Sequence, residues 1–194
     1  MTGPLRWPAV QPTLRDAEVV LRPWVEADAD DVFRACQDAD IQRFTNVPVP
    51  YLREHAESFV GPFQRSVWAD RTGAGFAVTA AADGALQGAC GLVGLDVAGR
   101  RSGVGYWIAP WARGQGVASR AVRLLSDWAL AELGLHEVYA EVEESNAASR
   151  RAAERAGFRG GVVEPRWEEH RGAPRLFLTL TRADTCANAA SVGP

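Results

Sequence analysis

The sequence predicts a single domain of mixed α/β class. Three consecutive β-type runs, at 75–82, 86–97 and 103–109, are joined by turn residues and predict antiparallel strands. A long amphipathic helix and a further strand follow them, which predicts a strand–helix–strand crossover. The chain has 194 residues, 47% of them apolar and 23% charged, which is typical of one globular domain with one core.

The first part of the chain alternates between prolines and short patterned runs. Three prolines without periodicity predict a loosely ordered leader at 1–14, and a β-branched run predicts the first strand at 18–24. Apolar residues at helical spacing predict a helix at 30–37, capped by Asp28 or Asp30. The next elements in order are a loop at 38–50 and a helix at 52–65, interrupted by Gly61-Pro62.

The strands that follow are separated by recognisable turns. Asp83-Gly84 lies between the runs 75–82 and 86–97 and is a strong hairpin signal. The helix after residue 116 is the clearest element, because apolar residues recur on one face and Gly134 is a natural stop. That face comprises Ala118, Ala121, Val122, Leu125, Trp128 and Ala129, and we interpret Trp128 as a core residue.

The last third of the chain predicts one more strand, one helix and a hairpin. The strand is at 138–142, and a helix capped by Ser145 or Asn146 follows it and ends at Gly157. The hairpin is predicted from strands at 166–170 and 175–181. The domain therefore extends over 15–182, and the small polar residues of 183–194 predict a disordered tail.

Composition excludes several functional classes. A net charge of −3 gives no overall attraction to nucleic acid, and no apolar run is long enough to cross a membrane. The N-terminus lacks the apolar centre of a signal peptide, so we expect a cytoplasmic protein. The three cysteines are an odd number without C-x-x-C spacing, which argues against a disulfide framework and against a metal site.

A glycine-rich turn, Arg113-Gly114-Gln115-Gly116, precedes the long helix. Unpaired N–H groups at a helix start attract anions, and glycines let a phosphate approach the backbone closely. The turn is therefore a candidate phosphate or pyrophosphate site, although glycine also serves tight turns without any ligand. A Walker loop is excluded because the chain contains no lysine, and Ser119 breaks the dinucleotide-binding fingerprint.

The turn and its surroundings resemble one known family. Arg113 to Ala118 matches the Arg/Gln-x-x-Gly-x-Gly/Ala signature of the GNAT N-acetyltransferases, which bind acetyl-CoA. The motifs Gly105-Tyr106-Trp107-Ile108, Asn146-Ala-Ala-Ser149 and Glu154-Arg-Ala-Gly157-Phe158 are similar to the ribosomal-protein, or RimJ/RimL-type, branch. With the run Val20-Leu21-Arg22-Pro23-Trp24, the resemblance covers about residues 16 to 182.

The resemblance implies a GNAT fold and an acetyl-CoA site. In this fold a mixed, mostly antiparallel sheet is flanked by helices and splays apart between its fourth and fifth strands, here predicted at 103–109 and 138–142. The acyl chain lies along the first of these strands, and the pyrophosphate lies on the glycine turn. The implied cofactor-binding residues are Tyr106, Trp107, Ile108, Arg113, Gly114, Gln115, Gly116, Val117, Ala118 and Asn146.

The catalytic residues implied by the resemblance are Asn146 and Ser149. Asn146 matches an asparagine that contacts the cofactor near the thioester, and it also suits a helix cap. Ser149 lies where this branch keeps a serine facing the sulfur. The chain departs from the wider family at Ala153, where many relatives have a tyrosine acid. Glu141, on one face of its strand with Glu143, is a candidate base acting through water, although solvated acidic residues also explain the pattern.

The acceptor is expected in the loops that face the acetyl group, at 38–51 and 165–174. Their candidate lining residues are Arg43, Phe44, Tyr51, Trp167 and Glu168. We predict an acyl-CoA-dependent N-acyltransferase that transfers acetyl directly to a primary amine, and the resemblance implies a homodimer. A small-molecule acetyltransferase, a longer-chain acyltransferase and a non-catalytic acyl-CoA sensor remain alternatives.

Overall fold

The computed structural model describes residues 4–160, 166–170 and 173–183. Its strands are β1 Leu14–Arg15, β2 Val19–Arg22, β3 Ala74–Ala80, β4 Leu86–Asp96, β5 Arg101–Ile108, β6 Glu137–Glu143, β7 Arg159–Gly160, β8 Arg166–His170 and β9 Ala173–Ala183. They form one sheet in the order β1-β2-β3-β4-β5-β6-β9-β7, with β8 paired to β9. Among these strands only β5 and β6 pair in parallel, so the predicted mixed, mostly antiparallel sheet is confirmed.

Helices flank both faces of this sheet. They are α1 Ala29–Ala35, α2 Ala39–Phe44, α3 Arg53–Ser58, α4 Gln64–Ala69, α5 Val117–Trp128 and α6 Ala147–Arg155. A π-type turn, Phe59–Phe63, separates α3 from α4 at the predicted Gly61-Pro62 break. A second π-type turn, Ala129–Leu133, extends α5. The helix ends at Gly134, which has a left-handed conformation with φ 89°.

The two faces of the sheet carry separate hydrophobic clusters. The larger cluster packs α5 and α6 against β2 to β6, and it includes Trp128, whose ring meets Phe76 edge-on with centroids 6.0 Å apart. The prediction that Trp128 is a core residue is confirmed. The smaller cluster packs α1 and α3 against the opposite face, beneath Ala77 and Ala109. The sheet therefore has α5 and α6 on one side and the N-terminal helices on the other.

Several turns predicted from the sequence have the expected geometry. Gly84 has φ 77° between β3 and β4, and the amide of Ala85 donates to Asp83 Oδ1 at 3.0 Å, so the predicted hairpin is confirmed. The α6 helix begins after Asn146, and Gly157 follows its end with φ 99°. The hairpin of β8 and β9 also lies where it was predicted, although β9 is longer than expected.

Two predictions for the N-terminal half are wrong. The leader is not loose over its described part, because Leu5 and Trp7 pack on the larger cluster and the Arg6 amide donates to Leu133 O at 2.9 Å. The predicted loop at 38–50 contains α2, since Asp38 accepts hydrogen bonds from two amides of the first turn and so caps a short helix.

The predicted cap of α1 and the predicted tail have different outcomes. Asp28 does not cap α1 with its side chain; its carboxylate is buried and forms an ion pair with Arg22 at 2.7 Å. The predicted tail lies, from residue 184 onward, outside the described residues. No helix within the described part of the chain is both long and apolar enough to cross a membrane.

Candidate active site

The edge of β5 that faces β6 is open over most of its length. β5 and β6 pair at only three positions, the last of them Gly103 with Tyr139, and within the described residues the strands part beyond it. The amide of Ala109 donates to Gln87 O in β4 at 2.8 Å. Because N–H groups alternate between the two edges of a strand, the amides of Tyr106 and Ile108 point away from β4. We call residues 104–108 on this side the open edge.

The glycine turn lies at the end of the open edge and leads into α5. Gly114 and Gly116 have φ of 77° and 78°, in the left-handed region that favours glycine. A Cβ built at either position would meet no atom within 4 Å. The turn is exposed, so its backbone can be approached directly.

The first amides of α5 are oriented like those of any helix start. The amide of Arg120 donates to Gly116 O, and the three amides before it, at residues 117–119, lie too early in the helix for such a bond. The Val117 side chain is buried, and that of Ala118 is half-buried. These two residues therefore offer a ligand their backbone amides, whose dipoles favour an anion.

The side chain of Arg113 is engaged with the protein rather than directed at the helix start. Its guanidinium donates to Asp38 at 2.6 Å and to Ile108 O at 3.2 Å. Burial raises the pKa of Asp38, but hydrogen bonds from Arg113 and Ile41 outweigh burial, so that pKa is lowered. Arg113 thus fastens the glycine turn to α2. The side-chain amide of Gln115 likewise donates to a protein group, Trp111 O, at 3.4 Å.

Asn146 and Ser149 are brought together at the start of α6. Asn146 Oδ1 accepts the Ser149 amide at 3.0 Å, which confirms the capping role predicted for Asn146. The amide group of Asn146 has donors beyond this oxygen, so the cap leaves the side chain able to donate to a ligand. Ala153, where the sequence departs from the pattern of the wider family, is fully buried in the larger cluster.

A contact that the sequence analysis missed joins β5 to α6. The Tyr106 hydroxyl lies 2.8 Å from Ser149 Oγ and 3.0 Å from Ser149 O. Burial raises the pKa of Tyr106 to about 12, although the hydrogen bond with Ser149 opposes the rise. One signal was available, because a tyrosine that alternates with Val104 and Ile108 on an apolar face needs a polar partner for its hydroxyl.

The candidate base, Glu141, lies on the face of β6 that points away from the larger cluster. Val138, Ala140 and Val142 are buried, so Glu141 and Glu143 share the opposite face, as period-two counting predicted. Glu141 is exposed and Glu143 is half-buried beside the Ser145 hydroxyl. Glu141 lies two residues, and Glu143 four residues, beyond Tyr139, the last residue of β6 that pairs with β5.

The predicted acceptor residues lie in three different places in the structure. Arg43 and Phe44 lie at the end of α2, where the Arg43 guanidinium stacks on Phe44 and lies 3.5 Å from Ser145 Oγ. Tyr51 was predicted to line the acceptor loop, but this prediction is wrong because Tyr51 is only 5% exposed and belongs to the smaller cluster. Its hydroxyl forms a hydrogen bond with the side chain of Cys36. Trp167 and Glu168 belong to β8, and their side chains lie outside the described part of the structure.

The cysteines with described side chains are poor nucleophiles. Cys90 is buried in β4, and burial raises the pKa of its thiol far above the usual range. Burial also raises the pKa of the Cys36 thiol, to about 11. The reactive species of cysteine is the thiolate, so neither thiol is suited to carry an acyl group.

The sequence matches the model of a known protein family. The family model for the acetyltransferase (GNAT) domain matches residues 18–159, which is well over half of the chain. The match includes the open edge, the glycine turn, α5 and α6.

One curated relative is YdaF of Bacillus subtilis (strain 168), which carries the assignment of ribosomal N-acetyltransferase. It is 40% identical over 76 residues, covering 39% of this chain and 42% of YdaF. The aligned stretch thus spans about two fifths of the curated relatives that the chain matches.

Two solved structures have the same fold over nearly the whole chain. RimL, a ribosomal α-N-protein acetyltransferase in complex with coenzyme A, has a TM-score of 0.79 at 15% identity and covers 89% of this chain and 98% of its own. RimJ of Mycobacterium smegmatis, in complex with a CoA disulfide, has a TM-score of 0.77 at 23% identity, with coverage of 98% and 93%. Identities this low support the fold alone.

Proposed function

The chain belongs to the GNAT acetyltransferase family, and we propose that it transfers an acetyl group from acetyl-CoA directly to a primary amine. The observation that carries this proposal is the meeting of an open strand edge with an exposed glycine turn at a helix start. An acyl-CoA has a thioester arm of peptide-like length joined to a diphosphate. The two features provide one binding surface for each of these parts.

The residues present fit acetyl-CoA. The amides of residues 117–119 would hold the diphosphate, and space above Gly114 and Gly116 would be filled by any other residue's side chain. The amides of Tyr106 and Ile108 would pair with the thioester arm as an added strand. When bound, acetyl-CoA supplies an activated acyl group and a thiolate of low basicity as leaving group.

The chain's own groups then have separate tasks. A backbone amide of the open edge donates to the acyl oxygen, which gains negative charge in the transition state. Asn146 donates near the thioester, and Ser149 donates to the sulfur. Glu141, or Glu143 on the same face, accepts the amine proton through water. Because the described cysteines are buried, we propose direct transfer without an acyl-enzyme.

Our preferred acceptor is the N-terminal amine of a peptide or protein. An α-amine has a pKa of about 7.7–8.0, roughly two units or more below that of a lysine amine, so more of it is neutral at pH 7 and a weak base suffices. This preference agrees with a candidate base, Glu141, that is an exposed carboxylate. Arg43 and Phe44 are the described residues that we propose for the acceptor side.

The experiment measures thiol release from acetyl-CoA with and without a panel of amines. The panel contains peptides with free N-termini, the same peptides with blocked N-termini as matched controls, polyamines and aminoglycosides. We expect the free peptides to raise thiol release at least tenfold over the blocked ones. Stimulation by polyamines or aminoglycosides alone would place the acceptor among small molecules. Binding of acetyl-CoA without stimulation by any amine would contradict enzymatic transfer and favour a sensor.

A further inference from the structure

Ser149 is held at three of its atoms by two side chains. Its amide donates to Asn146 Oδ1 at 3.0 Å, and its carbonyl oxygen and Oγ lie 3.0 and 2.8 Å from the Tyr106 hydroxyl. Tyr106 and Ser149 are 43 residues apart and belong to β5 and α6. The contact therefore fixes the orientation of Ser149 at the open edge.

The proton count of this contact allows two arrangements. If Tyr106 donates to Ser149 O, the Ser149 hydroxyl must donate back to Tyr106. If Tyr106 donates to Ser149 Oγ, the Ser149 hydroxyl proton remains for another acceptor. The carbonyl of Ser149 lies inside α6, where the helix supplies a donor of its own, so Tyr106 is not needed there.

We propose that Tyr106 positions Ser149, donating to Ser149 Oγ so that the Ser149 hydroxyl donates to the sulfur of acetyl-CoA. This inference rests on the proposed function. Position 153 of α6 is an alanine and has no hydroxyl, and Tyr106 of β5 provides a phenol hydroxyl to this site through Ser149. It is a positioning residue, since it acts through Ser149.

Tyr106 supplies a hydrogen bond and not a proton. Burial raises its pKa to about 12, whereas a thiol titrates near 8.5. Transfer of the phenol proton to the departing thiolate would therefore be unfavourable. A neutral phenol that keeps its proton can orient Ser149 throughout the reaction, as negative charge moves onto sulfur while the carbon–sulfur bond breaks.

The first test measures binding, without turnover. Dissociation constants for coenzyme A and for dethio-coenzyme A, which lacks the sulfur, are compared at pH 9, where more of the thiol is ionised than at pH 7. We expect Tyr106→Phe and Ser149→Ala to reduce the preference for coenzyme A about tenfold, because a charge-assisted hydrogen bond is weakened or lost. Tyr139→Phe, which removes a phenol hydroxyl from the neighbouring strand β6, is the matched control and should keep the wild-type preference.

The second test is a double-mutant cycle on kcat with the best amine of the panel. Tyr106→Phe alone should lower kcat about tenfold with little change in KM for acetyl-CoA. In the Ser149→Ala background the same change should have almost no effect, because the residue through which Tyr106 acts is already removed.

Two results would overturn the inference while the proposed function stands. One is an equal loss of kcat from Tyr106→Phe in both backgrounds, which would give Tyr106 a merely structural role. The other is an unchanged preference for coenzyme A over its dethio analogue in both single variants. If wild-type protein acetylates no amine in the panel, the proposed function fails and this inference fails with it.

Discussion

The two edges of β5 differ sharply, although they belong to the same eight residues. Toward β4 the strand pairs continuously from Ile108 with Gly88 to Gly103 with Val93. Toward β6 it pairs only at Arg101, Ser102 and Gly103. One edge is thus satisfied within the sheet, and the other leaves backbone groups directed into a gap. Since backbone polar groups require partners, the second edge is where a ligand can add to the sheet.

A pair of glycines shows that β4, inside the sheet, and β5 also differ in packing. Gly91 and Gly105 are register partners in β4 and β5. A Cβ at Gly91 would lie 2.8 Å from Ala74 O and 3.0 Å from the Cα of Gly75, both of them backbone atoms. A Cβ at Gly105 would meet only methyl groups of Val93, at 3.6 and 3.9 Å. β4 therefore requires glycine at this level because the backbone of β3 lies against it, whereas packing around Gly105 in β5 does not.

The largest expected effect is on the glycine turn at the end of the open edge. Gly116→Val should weaken acetyl-CoA binding about 100-fold, because the side chain keeps the diphosphate from the amides of α5 and so removes charge-assisted hydrogen bonds. Gly84→Val is the matched control, since Gly84 also has φ near 77° and open space around its Cα, but lies in the β3–β4 hairpin.

Calorimetric titration and thermal unfolding of the two variants separate binding from strain. Both should lose about 1–2 kcal/mol of stability, the cost of a side chain in the left-handed region. Only Gly116→Val should lose affinity. Equal affinities for the two variants would make the turn purely structural.

A smaller effect is expected when the two register partners are compared directly. Gly91→Ala should lower the free energy of unfolding by about 2 kcal/mol, because backbone atoms of β3 must move. Gly105→Ala should change it by less than about 0.5 kcal/mol. Urea denaturation of both variants provides the measurement. If both lost the same stability, β4 and β5 would not differ in packing as we describe.

Much of the fold was predictable because its signals are local. The Asp83-Gly84 turn, the apolar face of α5 and the cap at Asn146 each depend on neighbouring residues, and each lies where the sequence placed it. The short helix α2 was missed because its only clear signal is the capping Asp38, which the nearby prolines obscured.

The parts of the site that were not predicted depend on contacts between distant residues. Arg113 meets Asp38 across 75 positions, and Tyr106 meets Ser149 across 43. Tyr51 became a core residue because α1 and α3 enclose it, which the loop-like sequence around it does not reveal. The backbone groups that we propose for ligand binding came from a resemblance to a family, whereas the side-chain partnerships required the structure.

The most direct test of the account is amide hydrogen exchange in β5, resolved by residue, with and without saturating acetyl-CoA. The amides of Gly105 and Trp107 face β4 and should exchange slowly in both states. The account predicts that the amides of Tyr106 and Ile108 exchange faster in the free protein and become protected when acetyl-CoA is added. Unchanged exchange at Tyr106 and Ile108 under saturating ligand would contradict binding of the acyl arm along the open edge.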